Sequence, residues 1–137
     1  DSYAGLISGS QQGNITSVLV KGDLQGTKIV GGLTGASSGN LKGAYLDGSI
    51  TSSTTSVSRM YSNVGASATR LLIANENILV NGKKITSTSI SSYQGKSVSE
   101  DALKLQATYE EAGFNFTDTT TDYIWYFDNG VLKFKSN

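Results

Sequence analysis

Two stretches near the start of the chain repeat the same order of glycine, asparagine and aliphatic residues. The first copy reads AGLISG, then GNI, then VLVKGDL, and the second reads GGLTG, then GNL, then AYLDGSI. The spacing between like positions changes by one along the copies, and one single-residue gap between Leu6 and Gly9 accounts for the change. The matched positions are Gly5, Leu6, Gly9, Gly13, Asn14 and Gly22 in the first copy and Gly32, Leu33, Gly35, Gly39, Asn40 and Gly48 in the second. A unit of this length cannot bury its own apolar side, whereas a second unit stacked on it can, so the repeat predicts a solenoid.

The spacing within each copy favours β-structure over helix. Glycine interrupts the aliphatic positions too often for one helix, and glycines at fixed offsets indicate corners where φ is positive or two backbones approach closely. Because like residues stack on like, Asn14 over Asn40 is expected to form a short amide ladder. We therefore predict a mainly β fold, a parallel β-solenoid, as a single domain over residues 1–137 in which residues 1–51 form two rungs. The alternative is a β-sandwich containing two hairpins that resemble each other.

The composition removes several classes of function. The 137 residues include no histidine and no cysteine, which excludes a Ser-His-Asp triad, a cysteine nucleophile, a zinc finger and disulfide bonds. Eleven Lys and Arg balance eleven Asp and Glu, so no basic field attracts nucleic acid. With 37% hydrophobic residues and no long apolar run, no membrane-spanning segment is predicted. The acidic residues near loops match no calcium-loop spacing, and we predict neither a bound metal nor a cofactor.

Residues 52–97 continue the β pattern less regularly. The stretch 57–62 alternates in the manner of a strand, and residues 71–74 form a short apolar run. Asn81 and Gly82 lie between β-forming residues, which is a strong hairpin signal. These features predict two irregular rungs or a hairpin that projects from the solenoid.

The basic residues of this middle region include one compact group. Arg70, Lys83 and Lys84 form it. We interpret the group as scattered surface charge, and an anion or glycan contact is the alternative.

Residues 98–112 carry the helical signal of the chain. Ser97 and Glu100 are spaced as a capping box, apolar residues recur at helical spacing, and Gly113 is suited to end a helix. After this helix, residues 123–127 and 131–134 predict an aromatic hairpin. A solenoid end is an open sheet edge, so we expect the helix and hairpin of residues 98–137 to cap it.

The aromatic strand is the candidate binding surface. Tyr123, Trp125 and Tyr126 belong to it, and aromatic rings can stack on sugars, so a glycan site here is one hypothesis. A role in the core or in capping is the stronger interpretation, because the single tryptophan of a small domain usually serves packing.

The second copy of the repeat also resembles a known motif. Residues 30–35, VGGLTG, followed by GNL at 39–41, resemble the GLUG motif, a Gly-Gly-Leu-x-Gly repeat of bacterial surface proteins. The likeness covers residues 3–51, with Ala4 where the motif expects its first glycine. The end of the chain resembles the close of a GLUG array, with Phe114 where the family usually has tryptophan.

GLUG repeats occur in the N-terminal region of streptococcal immunoglobulin A-specific zinc metallopeptidases and in large adhesin-like proteins. The resemblance implies a parallel β-helix on an exported bacterial protein. It implies no peptidase activity in this chain, because the His-Glu-x-x-His helix of those proteases needs histidine.

These observations predict a non-catalytic scaffold or recognition module of a secreted or cell-wall-attached protein of a Gram-positive bacterium, part of a larger surface protease or adhesin. The expected partners are a host protein or a glycan, together with other domains of the same polypeptide. One alternative is a carbohydrate-active β-helix enzyme, which needs at least two converging carboxylates. Asp23 and Asp47 lie closer together in the sequence than the matched glycines do, so they fall out of register with the repeat. The other alternative is a purely structural stalk.

Overall fold

The structure, a computed structural model, describes residues 3–64, 68–116, 123–128 and 131–136. As the repeat predicts, these residues form a mainly β fold, in which a parallel β-solenoid of about three turns is followed by one short α-helix and a β-hairpin. Each turn has four strands. The strands are β1 (Tyr3–Ala4), β2 (Ser8–Gln11), β3 (Ile15–Lys21) and β4 (Leu24–Gly26) in the first turn, β5 (Ile29–Gly31), β6 (Thr34–Ser37), β7 (Leu41–Asp47) and β8 (Ser49–Ser52) in the second, and β9 (Ser56–Ser58), β10 (Tyr61–Val64), β11 (Arg70–Asn75) and β12 (Leu79–Val80) in the third.

Strands at the same position of successive turns pair in parallel and build four faces. Face 1 consists of β1, β5 and β9, face 2 of β2, β6 and β10, face 3 of β3, β7 and β11, and face 4 of β4, β8 and β12. The later elements are β13 (Lys83–Lys84), β14 (Lys96–Val98), a 3₁₀ turn (Ala102–Lys104), α1 (Gln106–Glu111), β15 (Tyr123–Asp128) and β16 (Val131–Ser136). β14 adds a fourth strand to face 3, β13 pairs antiparallel with β12, and β15 pairs antiparallel with β16. The hairpin predicted from Asn81 and Gly82 is therefore confirmed, and both residues have positive φ.

The first two turns pair with one constant register on faces 1 and 2, in which Ala4 lies beside Val30 and Ser8 beside Thr34. The corner between these two faces departs from that register at Leu6 and Ile7. The N–H of Leu6 donates to the carbonyl oxygen of Gly32 at 2.9 Å. In these parallel pairs an N–H bonds the carbonyl of the residue before its partner, as when the N–H of Ile15 donates to Asn40 while Ile15 lies beside Leu41. Leu6 therefore lies beside Leu33, and because Ser8 returns to the constant register, the predicted single-residue gap between Leu6 and Gly9 is confirmed.

The other matched positions stack as the repeat predicts. The pairs are Gly9 with Gly35, Gly13 with Gly39, Asn14 with Asn40 and Gly22 with Gly48. The Oδ1 atom of Asn14 accepts the backbone N–H of Asn40 at 2.9 Å, and the Oδ1 atom of Asn40 accepts that of Thr69 at 2.9 Å. The asparagine ladder thus links each side chain to the backbone of the next turn.

Face 3 departs from the constant register over part of its length. Ile15 pairs with Leu41 but Val18 pairs with Gly43, so the first turn holds one extra residue between them. Ser17 lies in this bulge with a φ of 53°, the left-handed conformation that such bulges often use.

Apolar residues pack on both sides of face 3. The inner cluster fills the solenoid and consists of Ile15, Val20, Val30, Leu33, Leu41, Tyr45, Ile50, Met60, Tyr61, Leu72, Ala74, Ile78 and Val80. The outer cluster consists of Ala44, Ile73, Val98, Tyr109, Ala112 and Phe114. Alternation along β7 explains the division, because Leu41 and Tyr45 point inward while Ala44 points outward.

The last turn is closed by residues 85–95 and by a buried arginine. Arg59 is fully buried at the corner between β9 and β10. Its guanidinium donates to the carbonyl oxygens of Gln94 at 2.7 Å and Gly95 at 3.0 Å, and to Oγ of Ser97 at 2.9 Å. Among the described residues no carboxylate forms an ion pair with it. Hydrogen bonds to neutral oxygens therefore stabilise its positive charge.

The helix predicted over 98–112 is shorter than expected. Only α1 and the preceding 3₁₀ turn are helical, and the predicted capping box is wrong because both of its residues bond elsewhere. Ser97 lies in β14 and binds Arg59, and Glu100 accepts a hydrogen bond from an asparagine side chain of β11. Gly113 follows the helix with a φ of 83°, as predicted.

The C-terminal hairpin packs on the side of the solenoid. Trp125 of β15 and Leu132 of β16 join the outer cluster. The Trp125 ring meets the Phe114 ring edge to face with centroids 5.0 Å apart, and its backbone N–H donates to the Asn115 carbonyl at 2.9 Å. The predicted aromatic hairpin is confirmed, and the surface that it covers is face 3, whereas residues 85–95 cover the last turn.

Candidate functional site

An open groove of about 750 Å³ lies between the hairpin and the first turn of the solenoid. We call it the hairpin groove. The residues that line it are Ile7, Thr16, Ser17, Val18 and Leu19 from the first turn and Trp125, Leu132 and Lys133 from the hairpin. Its volume falls in the range of small-molecule and peptide pockets.

The bulge at Ser17 shapes the floor of the groove. Val18 packs against the inner cluster and its neighbour Leu19 against the outer cluster, so the two consecutive side chains leave opposite sides of β3. Both nevertheless border the groove, because it opens at the free edge of this strand. Thr16 and Ser17 add two hydroxyl groups beside this apolar floor.

The walls of the groove are held in place by contacts away from it. On the hairpin side, Trp125 is fixed by its ring contact with Phe114, which in turn meets Tyr109 at 5.5 Å. On the solenoid side, the N–H of Ile7 donates to the Leu33 carbonyl at 2.9 Å, while 44% of the Ile7 residue surface is exposed. The groove is therefore a preformed, mainly apolar surface with hydroxyl groups and an amine at its border.

One of the three predicted binding residues lines the groove. Trp125 does so while also packing on Phe114, so the packing role expected for the tryptophan is seen and its binding role stays a prediction. Tyr126 is 38% exposed and is not among the lining residues, because alternation along β15 turns it to the opposite side. The side chain of Tyr123 lies outside the described residues.

Sequence reasoning missed most of the lining residues, including Ile7, Leu19 and Leu132. The bulge gave no signal either, because the two copies have the same length between Ile15 and Gly22 and between Leu41 and Gly48. Nothing in the sequence indicates that the hairpin lies beside this segment, because that placement depends on contacts between residues from opposite ends of the chain.

The compact basic group does not form a common site. Arg70 lies on face 3 and donates from Nη1 to the hydroxyl of Tyr61 at 3.1 Å, with its guanidinium carbon 5.8 Å from the Tyr61 ring centre. Lys83 and Lys84 form the exposed strand β13 beside face 4.

The titratable groups with the largest pKa shifts lie in the interior and away from the groove. Burial, with smaller effects from Asp23 and Asp47, raises the pKa of Tyr45 to about 12. Burial also raises the pKa of Tyr109 to about 12 and lowers that of Arg59 to about 10. These groups serve internal hydrogen bonds.

The carboxylates of the described residues do not gather into a cluster. No group of three or more Asp or Glu that could hold a metal ion occurs among them. Asp23 accepts a hydrogen bond from Oγ of Ser49 at 3.0 Å, so it lies beside Ser49 of the next turn. Asp47 lies beside Lys21 in the register of β7 and β3. The out-of-register relation predicted for Asp23 and Asp47 is confirmed.

Comparison with known proteins finds no family model, curated protein or solved structure that matches the chain. The GLUG resemblance therefore stays a prediction from the motif. Within the described residues no helix is both long and apolar enough to cross a membrane.

Proposed function

We propose that the chain is a non-catalytic recognition and scaffold module and that the hairpin groove is its binding site. The observation that carries the proposal is the groove itself. It brings an aromatic ring, aliphatic side chains, two hydroxyl groups and an amine together on one preformed surface.

Preorganisation supports a binding role for this surface. The floor belongs to a solenoid strand and the wall to a hairpin docked through Trp125, so little conformational entropy would be lost when a ligand binds. Sites built on regular elements also hold their geometry better than sites on loops.

The biological setting of the proposal rests on the GLUG resemblance. We propose a secreted or cell-wall-attached protein of a Gram-positive bacterium, in which this module presents the groove to a host protein or a glycan. Other domains of the same polypeptide, of the surface protease or adhesin kind, would supply any catalysis.

The test compares two exposed aliphatic residues of similar accessibility. Ile7, 44% exposed, lines the groove, whereas Leu79, 40% exposed, lies on face 4. Ile7→Asp and Leu79→Asp are each applied to a glycan array and to a serum pull-down, with circular dichroism as the check on folding. We expect Ile7→Asp to weaken ligand capture about tenfold or more and Leu79→Asp to leave it within about twofold.

Other outcomes would overturn the proposal. Equal capture by the two variants would place binding elsewhere on the molecule. Absence of any ligand would favour the structural stalk, and release of reducing sugar from a polysaccharide would favour the carbohydrate-active enzyme.

A further inference from the structure

The hairpin groove lies beside a free strand edge, and the two features together point to one class of ligand. We propose that the ligand is an extended polypeptide segment that adds to the edge of β3 as a further parallel strand and places side chains in the groove. This inference rests on the proposed function and names the ligand class of the same site.

The edge of β3 that faces away from β7 has no strand partner within the described residues. Face 3 has the strand order β14, β11, β7, β3, and among the described strands β3 pairs with β7 alone. In a parallel sheet every second residue of an edge strand turns its N–H and C=O away from its partner. An extended peptide can bond to such groups, and its alternate side chains then enter neighbouring pockets.

An added strand would continue an interface that the molecule already repeats. Face 3 contains three successive parallel pairings, and their outward positions include Leu19, Ala44 and Ile73 in one row. That row is covered by α1 and the hairpin, and the groove lies where the cover reaches β3. The residue of the added strand that lies beside Leu19 would extend this row, and its side chain would occupy the groove beside Trp125 and Leu132.

The size of the groove agrees with a short strand. A β-residue occupies about 160 Å³, from a rise of about 3.3 Å, a strand spacing of about 4.8 Å and a sheet spacing of about 10 Å. A groove of about 750 Å³ therefore holds roughly four to five residues. β3 offers a similar length beyond its bulge, from Val18 to Lys21.

The two sides of the added strand would both meet apolar surface. Outward side chains would enter the groove, and inward side chains would cover Leu6, Val18 and Leu24, which are only partly buried at this end of the inner cluster. Strands of parallel sheets that are covered on both faces are nearly continuous apolar runs. The preferred ligand is therefore an uninterrupted segment of aliphatic residues, without alternating charges.

The experiment selects short peptides from a random phage-displayed library against the purified full chain. Selected peptides are then synthesised with a single N-methyl group at each backbone position in turn, and their Kd values are measured by fluorescence anisotropy. Strand addition predicts that N-methylation weakens binding about tenfold at alternate positions and less than about twofold at the positions between. Ile7→Asp and, as a second groove variant, Thr16→Lys should weaken binding about tenfold, while Leu79→Asp should not.

Each remaining outcome has a defined meaning. Binding that tolerates N-methylation at every position, or that is insensitive to both groove variants, overturns strand addition. Ile7-dependent capture of a glycan without any selected peptide overturns this inference but leaves the proposed function in place. Failure of both peptides and glycans overturns both. A dimer that assembles through the β3 edge and dissociates on Ile7→Asp assigns the edge to a second copy and also overturns the inference.

Discussion

The two ends of the solenoid differ although the same repeat builds its turns. At the first turn, Leu6, Val18 and Leu24 remain partly exposed at the edge of the inner cluster, whereas residues of the second turn such as Val30 and Leu33 are fully buried. At the last turn, Arg59 and residues 85–95 cover the cluster. Within the part of the chain that the structure describes, the first turn is thus an open end and the last turn a closed end.

This difference shows that the burial of an inward side chain in a solenoid depends on the neighbouring turn. An inward aliphatic residue is buried only if another turn or a closing segment lies over it. The closing segment needs no long apolar run, because one guanidinium bonds several of its carbonyl groups at once. Three changes to the protein or its conditions test this dependence.

Replacing the buried arginine should open the closed end. Arg59→Met leaves the half-buried carbonyl oxygen of Gln94 and the buried one of Gly95 without their donor, and unsatisfied buried groups are costly. We expect a loss of about 4 kcal/mol in the free energy of unfolding, measured with urea. Hydrogen exchange in β10 and β11 should rise towards that of the first turn.

A second arginine provides the control for this prediction. Arg70→Met removes a guanidinium with one hydrogen bond to Tyr61, and it should cost about 1 kcal/mol. Similar losses for the two variants would contradict the closing role of Arg59.

Two stacked glycines measure the effect of a turn lying above. Gly22 and Gly48 have nearly the same φ, 140° and 142°, so alanine is strained at both. A Cβ at Gly48 would lie 1.9 Å from the Gly22 carbonyl oxygen, whereas a Cβ at Gly22 would meet only a Leu6 methyl at 3.6 Å. We expect Gly48→Ala to lose about 3 kcal/mol and Gly22→Ala about 1 kcal/mol in thermal or urea unfolding. Equal losses would show that the corner conformation, and not the stacked turn, sets the cost.

High pH should weaken the contact between the first and second turns. The hydroxyl of Tyr45 donates to the Gly22 carbonyl at 2.6 Å, and its pKa is raised from 10.0 to about 12. Its contribution is therefore complete below pH 10 and is lost as the pH rises towards 12, by about 2 kcal/mol at about pH 11.5. At the closed end the pKa of Arg59 is lowered to about 10, so above that pH the unfolded state binds more protons than the folded state. Arg59 therefore makes the free energy of unfolding rise with pH, opposite to the effect of Tyr45.

The variant Tyr45→Phe isolates this effect. It should cost about 1 kcal/mol at neutral pH through the lost hydrogen bond, and urea unfolding from pH 9 to 12 should then decline less steeply than in the parent chain. A curve parallel to that of the parent would exclude Tyr45 as a source of alkaline sensitivity.

The repeat made the solenoid predictable, whereas irregular segments did not reveal their geometry. Gly22, Gly48, Asn14 and Asn40 recur at the solenoid period, so their stacking could be predicted from spacing alone. The register shift at Leu6 was predicted in the same way, whereas the bulge at Ser17 was not, because the local letters do not reveal it. The capping box failed for a related reason, since Ser97 satisfies Arg59, a partner 38 positions away.

The candidate site divides in the same way. Composition and alternation indicated an aromatic hairpin containing Trp125 and allowed it either to pack or to bind. The groove arises because this hairpin lies beside Ile7 and Leu19, and no local pattern encodes that contact.

The stacking of turns follows from the sequence alone, because glycine corners and apolar strand positions repeat at one period and only stacking buries them. The closure of the last turn, the place of the hairpin and the groove beside β3 became known only from the folded structure. The physical reason is that stacking follows from a local, repeated pattern, whereas closure and grooves follow from single contacts between distant segments, each decided by packing and by which buried hydrogen-bonding groups find partners.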